Sequence, residues 1–243
     1  VNTARLEVRG LRAGYGARVV IDQVSLSIAP GEWYVLMGPN GCGKSTLLDC
    51  VAGRLVPAAG DVLIEGRSLA RDAAAAKRRL GYATAPENLP ALLTGRQCLE
   101  IHAGAKGLRV IDASVLDLAE QLHFLPYLES FVDTMSLGTR QKLAVLLALV
   151  GEPALVVLDE AFNGLDPASA LVLKRHLRGL TANQGVSVLL ATHALDIVEH
   201  HAARAGLLID GKIRREWTRE DIQTALAGGG FEAALSAAMT AAP

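Results

Sequence analysis

Nine consecutive residues, Gly38-Pro39-Asn40-Gly41-Cys42-Gly43-Lys44-Ser45-Thr46, carry the pattern G-x-x-x-x-G-K-S. Glycines at that spacing let backbone N–H groups turn inward around phosphate oxygens, and a helix starting at the lysine aims its positive end at them. Lys44 then brings a point charge to the β- and γ-phosphates of a nucleotide, and Ser45 offers a hydroxyl to Mg²⁺. The loop alone says only that a nucleoside triphosphate is bound. Its metal needs an acidic partner, and Ala154-Leu155-Val156-Val157-Leu158-Asp159-Glu160 is an apolar run ending in two carboxylates. Asp159 would hold Mg²⁺, directly or through water, and Glu160 has the reach to polarise a water for attack on the γ-phosphate. The pair makes nucleotide hydrolysis the leading reading.

Between these two segments, Ser136-Leu137-Gly138-Thr139-Arg140-Gln141-Lys142 opens a helix. A hydroxyl, free backbone N–H groups and a positive dipole end form an anion site there, although an ordinary serine N-cap would read the same way. The segment resembles the S-x-G-x-x-Q form of the ABC signature, a form common in bacterial exporters whose permease is a separate chain. Leu165-Asp166-Pro167 looks like the D-loop of that family, Ala191-Thr192-His193 like its switch histidine, and Tyr15 like the aromatic that stacks on adenine. The resemblance runs from residue 15 to residue 193, in family order. It implies an ATP-binding, ATP-hydrolysing subunit that powers a transporter, with ATP and Mg²⁺ as cofactors. It also implies a head-to-tail dimer in which each ATP lies between the 38–46 loop of one copy and residues 136–139 of the other. On this reading Tyr15, Gly38, Asn40, Gly41, Cys42, Gly43, Lys44, Ser45, Thr46, Ser136, Gly138 and Asp166 contact nucleotide. Ser45 and Asp159 hold the metal, and Glu160, His193 and Lys44 serve catalysis.

The sequence departs from the family pattern at three places. Ala85 stands where the family's Q-loop glutamine is expected, and alanine can neither ligate Mg²⁺ nor sense a γ-phosphate. Either Glu87 substitutes or water completes the coordination and coupling is altered; a two-residue displacement favours the second. Thr139 replaces a more usual glutamine, and Ala161-Phe162 replaces Pro-Thr after the catalytic acid, neither change removing a charge.

The elements that must position these residues read as an α/β fold: a P-loop NTPase core with an N-terminal antiparallel β layer and an inserted helical subdomain. Period-two apolar residues over 6–8, 19–21 and 24–28 indicate that layer, punctuated by Gly10, Gly14, Gly16 and Pro30-Gly31. Residues 33–37 and 154–158 are continuous apolar runs, as strands buried on both faces are. Residues 62–64 and 186–191 read as further strands. Helices are expected over 44–53, 112–122, 167–180 and 195–203, and an Asp210-Gly211 hairpin joins 207–210 to 212–216. The division expected is one ATPase domain over 1–226, with its RecA-like core over 1–85 and 151–226 and its helical subdomain over 86–150. A Gly/Ala-rich tail, a frayed helix, follows over 227–243.

Bulk properties narrow the partners. With 51% apolar residues the body of the chain is not disordered, and 24 Lys and Arg against 25 Asp and Glu lack the basic excess of a nucleic-acid binder. The cluster Arg67, Arg71, Lys77, Arg78 and Arg79 reads as a solvated face. Cys42, Cys50 and Cys98 lack zinc spacing and fit a reducing compartment. No apolar run approaches the ~18 residues of a membrane span, and no signal peptide is visible. Membrane contact is therefore expected through integral-membrane permease subunits, on the cytoplasmic face of the inner (plasma) membrane, with a second ATPase chain completing a homodimer or heterodimer. The rival reading is a non-transport or regulatory ABC ATPase acting as a mechanical module.

Overall fold

The computed structural model describes residues 4–240. Its strands are β1 (Leu6–Tyr15), β2 (Arg18–Ile28), β3 (Trp33–Met37), β4 (Ala59–Ile64), β5 (Arg67–Ser68), β6 (Leu80–Ala83), β7 (Leu155–Asp159), β8 (Ser187–Ala191), β9 (Arg204–Ile209) and β10 (Lys212–Thr218). Its α-helices are α1 (Lys44–Val51), α2 (Ala73–Arg78), α3 (Gly95–Ala105), α4 (Ala113–Gln121), α5 (Leu137–Leu149), α6 (Pro167–Gln184), α7 (Leu195–His201), α8 (Arg219–Ala227) and α9 (Phe231–Thr240).

Two sheets organise them. A four-stranded antiparallel sheet runs β2-β1-β4-β5, and a six-stranded sheet runs β10-β9-β3-β8-β7-β6, parallel except for the β9–β10 hairpin. The absence of polar alternation in β3 has a direct cause. Trp33, Val35 and Met37 face a core shared with the helices, while Tyr34 and Leu36 face a core shared with the antiparallel sheet and α1. Strands β7 and β8 divide their side chains between the same two cores. The expected α/β architecture, with its antiparallel layer and helices inserted between β6 and β7, is the one observed.

Several elements differ from the sequence-based expectation. Strand β2 is continuous where the pattern suggested two pieces, because bulges at Gly10 (φ +53°) and Gln23 (φ +56°) reset the β1–β2 register without ending the strand. Strand β6, which the sequence reading did not place, contains Gly81. In the fold its Cβ position lies 1.8 Å from the Ala148 carbonyl oxygen of α5, so glycine is there for close packing. The tail carries α9 after Gly229 and Gly230, both at positive φ. Phe231, fully buried, meets Trp217 edge-on at 5.3 Å, so this helix is docked onto the body. The outermost residues of the expected domain and tail, 1–3 and 241–243, lie outside the described residues.

The order β3-β8-β7 matters most for function. It sets side by side three strand ends that lead into the 38–43 loop, the Thr192-His193 segment and Asp159-Glu160. In open parallel sheets, ligand sites form at such carboxyl ends.

Candidate active site

The loop between β3 and α1 is spelled by its close approaches. At Gly38 (φ +150°) a Cβ would sit 2.2 Å from the Leu208 carbonyl oxygen, whereas at Gly41 (φ +78°) it would meet nothing within 4 Å. One glycine thus seats the loop on β9, and the other leaves its outer side open for a ligand. Gly43, left-handed at φ 112°, caps α1 with no side-chain hydrogen bond, so the first N–H groups of the helix have no side-chain acceptor. Lys44, only 8% exposed, donates from Nζ to the Gly38 carbonyl at 2.7 Å and the Pro39 carbonyl at 3.2 Å. No carboxylate pairs with it among the described residues. A buried ammonium held by carbonyls and without a paired carboxylate suits an incoming polyanion.

The acid side is built by β7 and the turn after it. Glu160 sits in the left-handed region (φ +47°), and its backbone N–H donates to the Ala191 carbonyl at 2.9 Å, tying the turn to the end of β8. Its two carboxylate oxygens differ. Oε2 accepts from Asn163 Nδ2 at 3.1 Å, while Oε1 is buried without a hydrogen-bond partner among the described residues, 3.6 Å from His193 Nε2. His193 Nε2 lies 3.1 Å from Asn40 Oδ1 and 3.5 Å from Lys44 Nζ, so one imidazole touches the phosphate-loop side and the acid side together.

These groups surround a cavity of about 210 Å³, bordered also by Ser45, Thr46 and Asp159. The fit to Mg²⁺ rests on the donor set. Among the described residues no group of three or more His, Cys, Asp or Glu side chains could hold a metal, but a serine hydroxyl and one carboxylate border the same space. Mg²⁺ characteristically takes one or two protein oxygens and completes its shell with phosphate and water. Residues Ser45 and Asp159 fit that role.

The structure brings together Asn40, Gly41, Gly43, Lys44, Ser45, Thr46, Asp159, Glu160 and His193. The remaining candidates stand elsewhere. Cys42 is buried behind the loop, and burial raises its thiol pKa. Tyr15 ends β1 and is 55% exposed. Neither Ala85, which precedes a single 3₁₀ turn, nor the exposed Glu87 borders the cavity.

Ser136 is the N-cap of α5: its Oγ accepts from the Thr139 N–H at 3.2 Å and lies 2.9 Å from Thr139 Oγ1. Gly138 packs so closely on the 160–166 turn that a Cβ would lie 2.7 Å from the Gly164 carbonyl oxygen. Asp166 caps α6, accepting from the Ser169 N–H at 2.8 Å and the Ser169 hydroxyl at 2.6 Å. Those bonds, with Lys142 at 3.3 Å, hold its carboxyl well below the usual carboxylate range. Sequence reasoning missed Asn163 and Lys142. A polar residue three positions after Glu160 and a lysine one turn beyond Gly138 were the available signals.

Comparison with known proteins agrees with this geometry. The ABC transporter family profile matches residues 21–163, more than half of the chain. The chain belongs to that family. Over 209 residues it is 32% identical to YhcH of Bacillus subtilis, an uncharacterized ABC transporter ATP-binding protein; the match covers 86% of this chain and 68% of that one. It is 35% identical over 198 residues to ATP-binding cassette sub-family A member 7 of Rattus norvegicus, covering 80% of this chain but only 9% of that protein. Among solved structures, an ATP-binding subunit of an ABC transporter superposes with a TM-score of 0.87 at 30% identity, covering 96% of this chain and 99% of that one. As a member of this family the chain is an ATP-binding and ATP-hydrolysing unit. Among the described residues no helix is long and apolar enough to cross a membrane.

Proposed function

We propose that this ATPase unit powers a transporter, an exporter by the form of its signature segment, through a nucleotide-dependent dimer coupled to separate integral-membrane permease subunits. It works at the cytoplasmic face of the membrane as a peripheral subunit. The observation that carries the catalytic part is the buried Oε1 of Glu160, which lacks a partner and faces His193 in the same cavity as Lys44. In hydrolysis the oxygen of a water forms a bond to the γ-phosphorus while the bond to the bridging oxygen of ADP breaks. Glu160 accepts the proton of that water, and His193, within reach of Asn40 and Lys44, keeps the γ-phosphate end of the cavity in register. Lys44 and the N–H groups of the loop and α1 hold the β- and γ-phosphates. Mg²⁺, when bound at Ser45 and Asp159, neutralises developing phosphate charge.

The dimer is supported by incompleteness. Ser136, Gly138 and Asp166 all lie outside the cavity of their own chain, and Leu137 beside them is 56% exposed. A second ATPase chain, identical or not, would bring these residues over the phosphates held by the 38–46 loop, and Tyr15 would stack on adenine. Residues 86–105, beside an apolar groove of about 700 Å³ that Leu93, Cys98 and Ile101 help line, are the proposed permease contact. Within this scheme 1–85 and 151–226 act as the nucleotide core, 86–150 as the helical subdomain, and 227–243 as an appended segment.

Glu160→Gln tests the catalytic reading: it should trap ATP with hydrolysis nearly abolished, and retained turnover would sink the assignment. A slow regulatory module in a membrane complex is the second reading, favoured by Ala85 standing where a γ-phosphate sensor is expected. Co-purification separates the two. A permease chain whose presence accelerates ATP turnover supports transport, and a membrane partner without stimulation supports the module.

A further inference from the structure

After α8 the chain turns through Gly229 and Gly230, both at positive φ, and runs back over the body as α9. The apolar residues of α9 recur at helical spacing, so Phe231, Leu235, Ala238 and Met239 form one stripe. Phe231 anchors the start of that stripe, fully buried against Trp217. Further along, Leu235 and Met239 border a cavity of about 90 Å³ whose wall includes Gly38, Pro39, Thr192, His193 and Leu195. We infer that α9 is a strut for the active site: Leu235 and Met239 are positioning residues that hold His193 at the γ-phosphate end of the catalytic cavity. This rests on the proposed role of His193 in hydrolysis.

His193 depends on packing because little else fixes it. Its neighbour Thr192 is tied to β3, with its N–H on the Leu36 carbonyl at 3.3 Å, and the Ala194 N–H donates to Thr192 Oγ1 at 3.1 Å. The His193 backbone itself makes no hydrogen bond among the described residues. Its side chain is 53% exposed and reaches Asn40, Lys44 and Glu160 only through Nε2, at 3.1, 3.5 and 3.6 Å. The same residue borders both the catalytic cavity and the cavity beside α9. A shift of the segment after β8 on its α9 side is therefore a shift of the imidazole at the phosphates.

The other part of that wall, Gly38 and Pro39, is fixed without α9. Gly38 sits against the Leu208 carbonyl, the Pro39 carbonyl accepts from the Cys42 N–H at 3.3 Å, and both residues' carbonyls accept from Lys44. Shortening Leu235 enlarges a void of about 90 Å³ and removes the contacts its methyl groups make. The phosphate loop keeps its hydrogen bonds, and the histidine segment loses its support. Phosphate binding and hydrolysis should thus respond differently to the same substitution.

The test combines single-turnover ATP hydrolysis with histidine-selective NMR of the full chain at one fixed pH. The variants are Leu235→Ala, Leu235→Met, Met239→Ser, His193→Ala and the pair His193→Ala with Leu235→Ala. Leu235→Ala should slow hydrolysis about fivefold or more while ATP affinity stays within about twofold. It should also shift or broaden the His193 ring signal, identified by its loss in His193→Ala, and leave that of His123, just after α4, in place. Leu235→Met keeps the side-chain volume and should restore both. In the His193→Ala background Leu235→Ala should cost nothing further, because its effect passes through that ring. Unfolding midpoints are measured alongside; Met239 is 41% exposed, so Met239→Ser reads the same contact if Leu235→Ala is unstable. An unmoved His193 signal, or a hydrolysis loss of the same size in the His193→Ala background, would overturn the strut. Full turnover in His193→Ala alone would overturn the role of His193 beneath it, with the NMR signal still deciding the strut.

Discussion

Replacing Lys44 with methionine separates binding from folding in a way few single substitutions do. The ammonium is 8% exposed, and among the described residues it contacts the Gly38 and Pro39 carbonyls and the His193 ring and pairs with no carboxylate. In the free protein its desolvation offsets those hydrogen bonds, so Lys44→Met should change folding free energy by no more than about 1 kcal/mol. With nucleotide bound, the same ammonium faces β- and γ-phosphate oxygens. Hydrogen bonds to charged groups contribute about 1.5–3 kcal/mol, so ATP binding should weaken by roughly 10- to 150-fold at 1.4 kcal/mol per decade. AMP, which lacks both phosphates, should bind almost as it does to the parent. Calorimetric titration of ATP, ADP and AMP in a Glu160→Gln background, with urea unfolding of each protein, reads every quantity. ATP affinity within threefold of the parent, or an AMP loss equal to the ATP loss, would refute the placement of Lys44 at the phosphates. A large fall in stability would refute the account of its burial.

Other expectations follow from particular contacts. Phe231→Ala removes a fully buried ring packed edge-on against Trp217, and should lower unfolding free energy by about 3–5 kcal/mol; a loss under 1 kcal/mol in urea would mean that α9 is not docked. Gly138→Val must push the Gly164 carbonyl oxygen from a Cβ position 2.7 Å away, so hydrolysis should fall while ATP binding by the isolated chain is kept. Equal activity in that variant would dismiss the α5 contact with the 160–166 turn.

Lys106 gives a pH test. Its ammonium donates to the Lys77, Arg78 and Leu80 carbonyls, but burial first, and Arg79 second, push its pKa down from 10.5 to about 8. Between those values the unfolded chain keeps a proton that the folded chain has released, so this group makes stability rise with pH across about 8 to 10.5. Unfolding midpoints at pH 8 and 10 should therefore diverge between the parent and Lys106→Met, with the parent gaining relative to the variant as pH rises. A constant difference would contradict the depressed pKa.

Much of this protein was legible in one dimension. The 38–46 loop, the apolar run ending in Asp159-Glu160 and the 136–142 segment could be read because their chemistry is local. Phosphate cradling needs adjacent N–H groups, a doubly buried strand needs an unbroken apolar run, and a helix start needs its cap within three residues. Burial patterning likewise announced β3 and β7 as strands buried on both faces.

The tertiary structure decided what depends on residues far apart in sequence. Gly81 has no legible role until the Ala148 carbonyl is found where its Cβ would be, and the tail helix α9 reads as frayed until Phe231 meets Trp217. How the Glu160 carboxylate is held depends on Asn163 and His193. Whether the 160–166 turn is held depends on Gly138 and Lys142, on a helix that lies before β7 in the chain. Residue types and their local spacing determined the chemistry available to this chain. The direction in which that chemistry points was set by the strand order β3-β8-β7, because only sheet pairing brings three distant strand ends to one edge.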